Sequence, residues 1–142
     1  KDISKWNKLR KEPAMSQYFN HMNTYHVSYA AFPNKDRKNE DYVRARRYMP
    51  EKNGLRGTDL KPDYFNTGLF APGIPHKISI IKRGNNIFMR VSNSKKTRYF
   101  HWHNDKFPPI KLGRIGLRQM FTRSMRVKNI RISQPKKTKY KK

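Results

Sequence analysis

The amino-acid sequence predicts an all-β fold of the sandwich or jelly-roll kind. Three observations carry this expectation. Roughly five or six short runs alternate apolar and polar residues, the period of a strand with one buried face. Gly, Pro and Asn separate these runs at close spacing, and no stretch carries the period of a long helix. Of the 142 residues 13% are aromatic, with 8 Tyr, 8 Phe and 2 Trp. A disordered basic chain lacks aromatics on this scale, so a packed core is expected.

Taken in order, residues 1–23 show no clear period, although residues 6–10 read as a short helical turn that Pro13 stops. The first strand is expected at residues 25–30, with Tyr25, Val27 and Tyr29 on one face and His26, Ser28 and Ala30 on the other. From Pro33 to Gly73 the chain is polar and turn-rich, a length of loop that tends to carry function. Within it residues 42–48 form a strand, Val43 and Ala45 opposing Arg44 and Arg46. Residues 77–81 and 87–92 flank Gly84-Asn85-Asn86 and read as a hairpin. Residues 99–103 give another strand, stopped by Asn104, Asp105 and Pro108-Pro109.

Two further strands are expected beyond it. Residues 113–120 alternate Ile115, Leu117 and Gln119 against Arg114, Gly116, Arg118 and Met120. Residues 125–132 follow, with a bulge at Lys128-Asn129 where the apolar parity shifts. Residues 1–135 are thus expected as one β-sandwich domain and residues 136–142 as a mobile basic tail.

Charge dominates the composition: 34 Lys and Arg against 9 Asp and Glu give a formal net charge of +25. Such self-repulsion opposes compaction, so attraction to a polyanion is expected, whether nucleic acid, anionic lipid or acidic polysaccharide. Cysteine is absent, which excludes disulfides and thiolate metal sites. No apolar run approaches the length of a membrane span.

Two segments carry a resemblance: Asn23-Thr24-Tyr25-His26-Val27-Ser28-Tyr29 and Gly113-Arg114-Ile115-Gly116-Leu117-Arg118-Gln119-Met120. Arg46-Arg47 before Pro50, the run from His76-Lys77-Ile78 to Lys82, and Trp102-His103-Asn104-Asp105 support it. On these residues the chain resembles the YesU-like domain family, a group of bacterial proteins, across roughly residues 20–132. The resemblance implies a concanavalin A-like jelly roll and a setting in plant- or algal-polysaccharide breakdown. It therefore implies a secreted, periplasmic or cell-surface bacterial location. It also implies that the chain is the C-terminal two-thirds of that sandwich, incomplete at the N-terminus, with earlier strands absent or supplied by a complementary N-terminal chain or segment. The fold hosts lectins and enzymes alike and does not choose between them.

Glycoside hydrolysis needs two carboxylates about 5–10 Å apart across the scissile bond. The acids are Asp2, Glu12, Asp36, Glu40, Asp41, Glu51, Asp59, Asp63 and Asp105, mostly in turn-rich segments where Asp is a turn former. A polysaccharide lyase is favoured over a glycoside hydrolase. β-Elimination of a uronate polymer needs a group that neutralises the carboxylate, a base for the C5 proton and an acid at the leaving oxygen. His26, Tyr29, Arg114, Arg118 and Gln119 supply those residue types and are the candidate catalytic set, Tyr25 being an alternative partner for His26. His26, Arg114 and Arg118 each oppose the apolar set of their own strand and so could converge on a concave face. The competing reading makes His26 a half-buried strand residue bonded to a neighbour and the arginines plain surface charges.

Basic residues interleave with Tyr42, Tyr48 and Tyr64 in the middle segment, and guanidinium forks suit carboxylates and sulfates. Arg44, Arg46, Arg47, Tyr25, His101 and Trp102 are the candidate substrate-binding residues, although Trp102 shares parity with Phe100 and suits a core equally. His101 and His103 share a face at a spacing that can bind metal, but no Cys and few carboxylates complete a site, so no metal is predicted. No cofactor is predicted either, and a structural calcium ion is neither indicated nor excluded. The expected function is binding, with or without cleavage, of an acidic (uronate or sulfated) polysaccharide. The alternatives are a non-catalytic carbohydrate-binding module and a basic nucleic-acid-binding protein.

Overall fold

Alternation becomes ladder in five of the expected places and in one unexpected place. The computed structural model describes residues 14–30, 41–70, 73–119 and 124–134. It divides into two compact units, Lys1–Lys111 and Leu112–Lys142. Among the described residues the first unit holds one turn of α-helix, α1 (Ser16–Phe19), a 3-10 turn at Pro50–Lys52, and six strands: β1 (Thr24–Ala30), β2 (Tyr42–Tyr48), β3 (Asp59–Phe65), β4 (Lys77–Arg83), β5 (Asn86–Ser92) and β6 (Thr97–His103). They form two three-stranded antiparallel sheets, ordered β1-β2-β3 and β4-β5-β6. The all-β class is therefore correct. The helical turn expected at residues 6–10, the tail at residues 136–142 and Met120 lie outside the described residues.

One core joins the two sheets. Val43 and Ala45 of β2 and Leu60 of β3 meet Ile87, Met89 and Val91 of β5 and Phe100 and Trp102 of β6, with Leu69 and Phe70 closing one end. All are buried, and burying a side chain of the Val, Leu, Met or Phe class contributes about 1.5–3 kcal/mol. Polar bonds stitch the same seam. The Trp102 indole N–H donates to the Pro62 carbonyl at 2.8 Å. Asn104, fully buried after β6, donates to the Tyr25 hydroxyl at 2.7 Å and to the Phe107 carbonyl at 3.0 Å. The hairpin turn is also as expected: Arg83 pairs with Asn86 around Gly84-Asn85, and Gly84 takes the left-handed φ of 56° that the turn requires.

β3 was hidden inside the expected loop because Pro62 and two carboxylates interrupt its pattern. Pro62 is tolerated because β3 is an edge strand, where a missing N–H costs no ladder bond. The register also slips, Leu60 pairing with Ala45 and Tyr64 with Val43, so the spacing no longer reads as a plain strand.

The strands expected at residues 113–120 and 125–132 are not formed among the described residues of the second unit. Ile115, Leu117, Ile130 and Ile132 are all exposed, at 72%, 64%, 65% and 71%. Alternation only offers two faces; a strand also needs a neighbour for its backbone N–H and C=O groups, and no described residue supplies that ladder. Asn129 does leave the extended region, with φ of 56°, at the place where the parity shifts.

Candidate functional site

Each sheet presents an outward face, and the two faces differ in what they offer. On β1 the odd positions Tyr25, Val27 and Tyr29 pack on the core, so His26 and Ser28 point the other way. His26 and Tyr29 therefore sit on opposite faces of β1 and do not meet at one substrate. His26 instead pairs with Tyr48: Nδ1 lies 2.9 Å from the Tyr48 hydroxyl, and the rings stack with centroids 4.8 Å apart. Tyr29 stacks on Phe70 at 4.0 Å, and burial pushes its phenol above the ordinary value. Tyr25 accepts the Asn104 bond described above.

Arg44 and Arg46 share the face of His26, as expected, but both are engaged within the fold. Arg44 lies over the Tyr42 ring at 4.0 Å, and Arg46 bonds its register partner Asp59 at 2.7 Å. Arg47 is on the core side and only 2% exposed. Its guanidinium donates to the Pro108 carbonyl at 3.2 Å and to the Tyr48 carbonyl. Burial lowers its pKa, with Tyr25 and Glu51 acting in the opposite sense. Arg47 is thus engaged within the fold, on the core side of β2. Trp102 is likewise fully buried, because Phe100 and Trp102 share the inward parity of β6.

Arg114, Arg118 and Gln119 belong to the second unit, where Arg114 and Gln119 are exposed and Arg118 is half-buried, on a stretch without a strand. The opposition that was to aim Arg114 and Arg118 away from an apolar set is not formed there, since Ile115 and Leu117 are themselves exposed. Carboxylate chemistry is also committed elsewhere: Asp41 accepts the Thr67 and Gly68 N–H groups at 2.6 Å each, and Asp59 holds Arg46.

The outward face of β4-β5-β6 is of another kind. With Ile87, Met89, Val91, Phe100 and Trp102 turned inward, alternation turns Phe88, Arg90, Tyr99 and His101 outward. Tyr99 is 72% exposed and Phe88 41% exposed, unusual values for rings in the middle of strands. Arg90 and Tyr99 are register partners, as are Phe88 and His101, whose rings stack at 4.5 Å. Together with Tyr64 and Ser79 they line a shallow depression of about 310 Å³. The three strands contain Lys77, Lys82, Arg83, Arg90 and Arg98 and no Asp or Glu. The Arg90 side chain has no hydrogen-bond or ion-pair partner among the described residues.

Of the candidate catalytic and substrate-binding residues, only His101 falls on this face, and His103, singled out beside it, shares the same parity. Phe88, Arg90 and Tyr99 were missed, although their alternation with Met89, Val91 and Phe100 marks them as outward. At the end of the same face Asn86 Oδ1 lies 2.8 Å from His101 Nε2 and 2.9 Å from His103 Nδ1. Among the described residues no three His, Cys, Asp or Glu side chains gather as a metal cluster, and no helix is long and apolar enough to cross a membrane. The chain matches no protein-family model, no curated protein and no solved structure.

Proposed function

We propose that the protein binds an acidic polysaccharide across the outward face of β4-β5-β6. The observation that carries this reading is the direct pairing of Arg90 with the exposed Tyr99 on a sheet that has no carboxylate. Partners directly opposite in an antiparallel ladder have Cβ atoms about 4.5–5.5 Å apart, close enough for one sugar unit to use both. The sugar's C–H face stacks on the tyrosine ring while its carboxylate or sulfate takes the guanidinium fork. Phe88 and His101, stacked in the adjoining row, extend the platform. Lys77 and Arg83, whose register partners Ser92 and Asn86 share the outward parity of Arg90, add the long-range attraction of a single-sign surface.

This favours a binding module over a lyase, because His26 and Tyr29, the expected acid and base, face opposite ways. The two sheets are further proposed as part of a concanavalin A-like jelly roll of the YesU-like kind, acting outside the cytoplasm where such polymers are met. Basic and aromatic residues also hold single-stranded nucleic acid, so the two polymers need direct comparison.

Polygalacturonate, heparin and single-stranded RNA titrated across a salt series make that comparison. A polysaccharide should bind more tightly than RNA at matched salt, and Arg90→Ala and Tyr99→Ala should each weaken it at least tenfold. Tighter binding of RNA, or unchanged affinity in both variants, would overturn the reading. Accumulation of an unsaturated uronate product, seen by its ultraviolet absorbance, would restore the lyase.

A further inference from the structure

His101 and His103 occupy alternate positions of β6, so both imidazoles stand on the outward face, and both residues are exposed. Asn86 is the register partner of His103 on β5. Its Oδ1 receives one nitrogen from each ring, at 2.8 Å from His101 and 2.9 Å from His103. Two ring nitrogens thus converge on one amide oxygen. The Phe88 ring, stacked on His101 at 4.5 Å, fixes the orientation of one of those imidazoles.

Convergence of this kind is close to what a metal ion asks of its ligands. At metal–nitrogen distances of about 2.0–2.1 Å, tetrahedral ligands stand about 3.3 Å apart. Each nitrogen–oxygen pair here needs to open by only about 0.5 Å to reach that spacing. Imidazole with an amide oxygen suits the borderline divalent ions rather than calcium or magnesium, which prefer all-oxygen sets. The open face leaves the remaining positions to water. Arg83, which pairs with Asn86 from β4, adds positive charge nearby and limits the affinity.

We propose that Asn86, His101 and His103 form a chelating site for one divalent transition ion of the zinc, nickel or copper type. Each imidazole coordinates through the nitrogen that now meets Asn86 and keeps its proton on the other ring nitrogen. The Asn86 amide oxygen is the third ligand. The site does not depend on polysaccharide binding, and it is tested without any sugar present.

The full chain is titrated with zinc chloride alone, following heat and the imidazole C–H resonances. One ion should bind per chain, with the His101 and His103 signals shifting and those of His76 unchanged; His76 bonds the Leu69 carbonyl elsewhere in the fold. His101→Ala and His103→Ala should each weaken binding at least tenfold. Asn86→Asp, which replaces the neutral oxygen by a charged one, should tighten it by about tenfold. That gain cannot arise from misfolding, so it separates the site from a structural role. Unchanged binding in either histidine variant, no gain in Asn86→Asp, or no saturable binding at all would overturn the proposal.

Discussion

The Tyr64 hydroxyl satisfies both backbone groups of His101: it donates to the carbonyl at 3.0 Å and accepts the N–H at 3.1 Å. Among the described residues β6 pairs only with β5, so these groups belong to its other edge. A side chain from β3 thereby closes, at one point, an edge that would otherwise recruit another strand. The same ring packs edge-on against Phe100 and Trp102, at 5.0 Å and 5.6 Å. Tyr64→Phe keeps the packing and removes only the hydroxyl. It should cost about 1–3 kcal/mol in denaturant unfolding and raise self-association in sedimentation, the second effect identifying the opened edge.

Arg47 is a buried cation held by two carbonyls, those of Pro108 and Tyr48. Arg47→Met fills much of the same volume but orphans both acceptors, at about 1–3 kcal/mol for each group left unsatisfied. Arg47→Lys should rescue little, since one ammonium cannot reproduce the two directions of the guanidinium. Chemical denaturation of the two variants checks both expectations.

Asp41 fastens the segment after β3 to the start of β2 through the Thr67 and Gly68 N–H groups. Charge-assisted bonds of this kind contribute about 1.5–3 kcal/mol each. Asp41→Ala should therefore be strongly destabilising, while Asp41→Asn retains one acceptor and loses less. Hydrogen exchange gives a local readout: the Thr67 and Gly68 amides should lose protection first, ahead of those in β5.

Burial holds the Tyr29 phenol protonated above its ordinary value of 10.0. The folded chain thus binds this proton more tightly than the unfolded chain does. The stability this gives is complete below pH 10.0, and it is lost as the pH rises from there through the folded-state value. Tyr29→Phe keeps the stack on Phe70 and removes the ionisation. Its unfolding free energy should fall less steeply than that of the native chain above pH 10.0. Thermal melts across the alkaline range measure the difference.

Much of the β architecture is legible in the order of residues. The alternation in residues 25–30, 42–48, 87–92 and 99–103 assigns each side chain to a face, and Gly84-Asn85 sets the hairpin between β4 and β5. The same alternation already separates Phe88, Arg90, Tyr99 and His101 from the core, so the aromatic and basic face could be read from parity alone. It also puts His26 and Tyr29 on opposite faces, a constraint that weighs against joining them in one mechanism.

What the sequence alone determined is the charge, the strand periods and the two faces each strand can show, since these follow from residue type and a two-residue repeat. Only the tertiary structure decided which runs find a ladder partner, and that is why β3 forms in spite of Pro62 while residues 113–119 do not form a strand. It also decided which face is covered. Arg47 and Trp102, both attractive as ligands in isolation, are enclosed because their parity matches Val43, Ala45 and Phe100, and the apolar area of those neighbours gains more by meeting the other sheet than by facing water.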